Sequence, residues 1–167
     1  MAAGKKRQYR RAERTFAFKV LYSLSFSQAT DEDSLREIFL NFPERPEGLL
    51  PENNYAWNLV LGVWEEREQL DADLASRLRN WRMERVGKVE SAILRIALFE
   101  LRRNAPDVPP KVVINEAVEL SKLYGDDKSG IFVNGVLDNA AKLARDEENP
   151  QEPVHQIHAT AKPAYES

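Results

Sequence analysis

Across seven segments of this chain apolar residues return at every third or fourth position, and no segment alternates apolar with polar as a strand does. That period matches 3.6 residues per turn, so each segment is read as a helix with one buried face, and the fold class as all-α. Residues 8–28 set Ala12, Phe16, Val20 and Leu24 four apart, with Ala17 and Leu21 alongside. A short helix over 33–40 stops before Pro43 and Pro46. Pro51 suits the first turn of a third helix running to about residue 69, because its missing N–H has no helical partner there. Asp71 or Asp73 then opens a fourth reaching Trp81. Residues 86–103 carry Val89, Ile93, Leu94, Ile96, Ala97, Leu98 and Leu101 around most of the circumference, the mark of a central helix. Pro109 and Pro110 favour the start of a sixth helix built on Val113, Ile114, Ala117, Val118 and Leu120, with Gly125 as its stop. Ser129 is placed to cap the seventh, where Ile131, Val133, Val136, Leu137 and Ala140 point inward and Gly135 implies a close helix crossing. The expected layout is a flexible basic N-terminus over 1–7, one helical domain over 8–148 and a disordered tail over 149–167.

The missing residue types restrict the chemistry. Without Cys there is no disulfide, thiol nucleophile or Cys-based zinc site. His155 and His158 both fall in the last thirteen positions, too far out for a Ser-His-Asp arrangement in the core and two ligands short of a zinc site. Asp126, Asp127 and Glu119 lack EF-hand spacing. Glu100 and Arg95 interrupt the apolar fifth segment, and Asn115 and Glu116 the sixth; with no nucleophile or Gly-rich loop beside them, they read as hydrogen bonds locking helices together. No catalytic residue, metal or cofactor is expected. Met1 to Gly4 lacks the apolar core of a signal peptide, and the longest apolar stretches are far short of a membrane span, so the cytoplasm is the expected compartment.

Charge is where the sequence points to a partner. The net charge is −3, yet residues 5–19 hold seven cations (Lys5, Lys6, Arg7, Arg10, Arg11, Arg14 and Lys19) against Glu13 alone, leaving −9 on the remainder. A basic arm on an acidic body suits a polyanion at one end. Arg7, Arg11, Arg14, Phe18 and Tyr22 recur at spacings of three and four, which keeps them on one side of the first helix. Guanidinium groups grip phosphates and an exposed ring stacks on a splayed base, so the strip fits single-stranded RNA. The alternative is a solvated charged face, with Phe18 and Tyr22 extending the core. A second run, Arg77, Arg79, Arg82, Arg85 and Lys88, reads as solvated helix ends.

Four stretches resemble the NusB family of bacterial transcription antitermination factors: RRAERTFAFKVLY from Arg10, VESAILRIALFEL from Val89, DVPPKVVINEAVEL from Asp107 and FVNGVLD from Phe132. The resemblance covers about residues 8–146 and implies two packed three-helix units with an additional helix and no catalytic activity. It implies pairing with NusE, a small-subunit ribosomal protein, and binding of boxA RNA to suppress premature termination, notably in ribosomal RNA operons. Other Nus factors and RNA polymerase are further partners it implies; it leaves a homodimer of the free chain open. It places RNA binding on Arg7, Arg10, Arg11 and Arg14, the RNA-side aromatics at Tyr22 and Phe132, and the acidic partner contact at Glu90. Two positions depart from the family pattern. Ala12 stands where another Arg is frequent, reducing phosphate contacts, and Lys128 stands where an acid is frequent, adding attraction to RNA.

Two other readings stand beside this one. A related helical domain is fused to ribosomal RNA cytosine methyltransferases, but the chain has no room for their cofactor-binding α/β domain. The acidic body also suits a protein-interaction scaffold or ribosome-assembly factor whose main partner is a ribosomal protein.

Overall fold

The computed structural model describes residues 3–52, 54–78 and 82–148, with side chains placed from 4 to 142 within those stretches. Its helices are Ala3–Ser23 (α1), Glu32–Asn41 (α2), Tyr55–Glu65 (α3), Arg67–Arg77 (α4), Lys88–Arg103 (α5), Pro110–Tyr124 (α6) and Ser129–Glu148 (α7), with a 3₁₀ turn at Met83–Arg85. No strand occurs among the described residues. Arg79 of the second cationic run, the fourth helix's expected end at Trp81, and the tail with His155 and His158 lie outside them.

Helix α5 is the axis of the molecule. It packs against α1, α3, α4, α6 and α7, and Ile93, Leu94, Ile96, Ala97, Leu98 and Phe99 are all buried. Helices α1 to α3 form one packed unit and α5 to α7 the other, with α4 the additional helix touching α3, α5 and α7. Among the described residues no helix is long and apolar enough to cross a membrane.

Several boundaries differ from the expected ones, each for a local reason. The helix α1 starts at Ala3, so Lys5, Lys6 and Arg7 lie in its first turns. Contacts from Lys6 to Asp107 and from Arg7 to Glu116 tie those turns down. Pro51 lies ahead of α3, which is opened instead by Asn54: its side-chain oxygen accepts from the Trp57 N–H at 2.7 Å. The long helix expected over 51–69 breaks at Glu66, where ψ is 10°. The redirected α4 then buries Leu70 and Leu74.

Helix α7 is capped by Asp126, not by Ser129 alone. The Asp126 carboxylate accepts from the Lys128 and Ser129 N–H groups, while the Ser129 hydroxyl accepts from the Asp126 N–H. The same reciprocal pairing joins Asp31 and Ser34 at the start of α2. Gly135 is exposed with open space around it; the close crossing is at Gly62, where a Cβ would run into the Phe99 ring between α3 and α5. Ala12 and Ile131, expected inside, are exposed, Ile131 by 80%.

Candidate nucleic-acid interface

The basic arm folds into a lattice of ion pairs. Arg14 departs most from expectation: it is 3% exposed and points into the protein. Its Nε and Nη2 donate to Glu100 on α5 at 2.9 and 2.7 Å, and Nη2 also reaches the Tyr55 hydroxyl at 3.2 Å. The Tyr55 hydroxyl in turn donates to Glu100. This cluster commits Nε and Nη2 of Arg14 to buried partners, so the side chain is not part of an exposed cationic strip. A buried guanidinium needs such a partner, because an unpaired charge in the interior is costly.

Arg11 is held differently. Its Nε and Nη2 each donate to Glu116 at 2.8 Å, a bidentate grip, yet its side chain remains 54% exposed. The grip uses one edge of the fork and leaves the Nη1 side for another anion. Glu116 is buried and also lies 3.9 Å from Arg7 and from Arg14. Mainly through the Arg11 hydrogen bonds, its carboxyl is held below its ordinary value, against the opposing effect of burial. Arg10 turns the other way, donating to Asp107 at 2.6 Å and lying 5.1 Å over the Tyr55 ring. Lys6 joins it on the same Asp107 oxygen at 3.1 Å. Together the two cations, Arg10 first, bring the Asp107 carboxyl down to about 2.

The far end of α1 carries the aromatic groups. Phe18 is 2% exposed, packed between Tyr22 at 6.0 Å and Tyr124 at 4.9 Å, so it belongs to the core rather than to an exposed strip. Tyr22 is half-buried and meets the exposed Phe26 edge-on at 5.3 Å, and the Lys88 ammonium sits 4.0 Å over Phe26. From Lys88 the start of α5 leads to a second cluster. Arg85, Glu90, Asp126, Lys128, Ser129 and Phe132 line one cavity of about 340 Å³. Glu90 accepts a hydrogen bond from the Ser129 hydroxyl, and Phe132 is half-buried against the core. The structure therefore brings Glu90, Lys128 and Phe132 into one pocket rather than onto separate surfaces.

Two features are not visible in the sequence pattern: Phe26 beside Tyr22 and Lys88, and Asp107 as the partner of Lys6 and Arg10, emerge only once the helices are side by side. Glu116 had one available signal, as an acid interrupting an apolar helix, and its interhelical bonding follows from that. The remaining second-run cations divide: Arg77 is paired with Asp73 at 2.7 Å, while Arg82, Arg85 and Lys88 are exposed. Among the described residues no group of three His, Cys, Asp or Glu side chains is arranged to hold a metal.

Fold and site define a class: an all-helical protein whose first helix carries a paired, partly exposed arginine face, with an aromatic and lysine cluster beyond it. The model of the NusB family matches residues 11–142. Transcription antitermination protein NusB of Oleidesulfovibrio alaskensis is 46% identical over 144 residues, which is 85% of this chain and 93% of that protein. The protein of the same name from Nitratidesulfovibrio vulgaris is 42% identical over 154 residues, with the same shares of 85% and 93%. Among solved structures, NusB of T. maritima superposes with a TM-score of 0.68 at 32% identity, over 80% of this chain and 90% of that one. A crystal structure of the antitermination factors NusB and NusE in complex with double-stranded RNA matches with the same TM-score at 30% identity, over 81% of this chain and 98% of that one. The chain belongs to the NusB family.

Proposed function

We propose that this chain pairs with NusE and that the pair binds boxA RNA to suppress premature termination, notably in ribosomal RNA operons, together with other Nus factors and RNA polymerase. The observation that carries the reading is Arg11, gripped on one edge by buried Glu116 while more than half exposed. A guanidinium fixed in this way presents its open edge to a phosphate with little conformational freedom left to lose. Arg7 and Lys5 are exposed on the same arm. Tyr22, Phe132 and Lys128 supply ring faces and a cation for bases and phosphates further along. Glu90, at the start of α5, is the contact assigned to NusE. Similarity to the NusB of the solved NusB–NusE–RNA complex supports both partners.

Replacing Arg10 and Arg11 by Ala tests the reading. Binding to every RNA sequence should weaken, and the log–log salt slope should flatten by roughly 0.7 for each phosphate no longer neutralised. An unchanged slope overturns the arm's role. A second reading, a scaffold or ribosome-assembly factor that serves mainly a ribosomal protein, draws support from the internal pairing of the arm's cations; it requires that no arm-dependent RNA binding be found.

A further inference from the structure

The arm meets two carboxylates in contrasting settings. Glu116 is 4% exposed and takes one whole edge of Arg11, so it holds that side chain in place. Asp107 is 47% exposed, stands in the loop between α5 and α6, and binds Lys6 and Arg10 through one and the same oxygen. Arg10 also reaches the Asp107 main-chain carbonyl at 3.4 Å, a contact that does not depend on the carboxylate. With Val108, Val112, Arg7, Arg14 and Glu116, these residues line a surface groove of about 220 Å³. An exposed carboxylate bound to two cations has the charge and the hydrogen-bonding geometry of a phosphate oxygen.

We propose that Asp107 is an internal stand-in for RNA phosphate, occupying Lys6 and Arg10 in the free protein and yielding them when RNA enters the groove. The proposal rests on the RNA-binding reading above. Surface ion pairs are weak enough to exchange for a strand of many phosphates, whereas the buried Glu116 grip is not. Lys6, Arg10 and Asp107 together carry a net charge of +1, so Asp107 reduces what the pair of cations offers to an approaching strand. Its removal should therefore strengthen RNA binding of every sequence alike.

The test compares wild type, Asp107→Asn and a charge-matched control, Glu37→Gln, at an exposed carboxylate on α2. Labelled boxA RNA and an oligouridine of equal length are titrated across a salt series, with unfolding curves alongside. Asp107→Asn should bind both RNAs roughly two- to fivefold more tightly, the scale of one surface ion pair, and steepen the salt slope by roughly 0.7. Glu37→Gln should match the wild type. Arg10→Ala should reduce affinity more in the Asp107→Asn background than in the wild type, because only in the wild type must Arg10 first give up a carboxylate before it meets RNA. Equal affinities for Asp107→Asn and wild type, or an equal gain from Glu37→Gln, overturn the proposal while leaving the RNA reading standing. Absence of RNA binding by all the proteins overturns both.

Discussion

Arg14 and Arg11 are three positions apart on one helix face, yet one is buried against Glu100 and the other half-exposed against Glu116. Their spacing makes them look equivalent; what separates them is how deep α1 sits against α5, which no local pattern encodes. Removing one partner of a buried pair strands the other charge, so Arg14→Ala or Glu100→Ala should each lower stability by about 3–5 kcal/mol in denaturant titration. The double change Arg14→Met, Glu100→Leu should recover most of that loss. Equal losses in single and double variants would mean the cluster is held by packing alone. Glu116 adds a pH dependence. Its carboxyl is a stronger acid folded than its ordinary value near 4.5. Such a group stabilises the fold fully above the unfolded value, and the contribution disappears as pH falls through the folded one. Glu116→Gln should therefore melt below the wild type at neutral pH, with the gap closing as pH drops below 4.5. A gap that stays constant across that range would remove the ion pair as its cause.

Among the helices, periodicity makes the seven elements and the central position of α5 legible, because a 3.6-residue repeat follows directly from which faces are buried. The ends are less legible. Pro51 offers a plausible start for α3, but the capping geometry belongs to Asn54. The break at Glu66 accompanies pairs with Arg102 and Arg103 across on α5, at 3.7 and 3.5 Å. Gly62 and Gly135 are both helical glycines, and only the neighbouring Phe99 ring distinguishes a required glycine from a tolerated one. Ile93, 1% exposed at the centre of α5, should cost about 2–5 kcal/mol when cut back to Ala. A denaturant midpoint indistinguishable from wild type would place the core elsewhere.

For the molecule as a unit, the charge polarity and the four family-like stretches are legible in the chain, while the gathering of Glu90, Lys128 and Phe132 into one pocket is not, since it needs α5 and α7 brought together. That gathering sets the residues proposed to face RNA beside the one proposed to face NusE. Phe132→Ala should weaken RNA binding by about 1–3 kcal/mol, the worth of a stacked base, while leaving NusE affinity unchanged. Loss of stability with normal RNA binding would instead assign Phe132 to packing, a role its half-buried position also allows. Whether this chain and NusE form one RNA-reading unit is decided by the affinity for labelled boxA RNA and for a scrambled RNA of the same composition, each measured with and without NusE. NusE should tighten boxA binding more than binding of the scrambled strand, because the arm supplies only sequence-independent attraction. Equal tightening of both strands, or none, would contradict the joint unit.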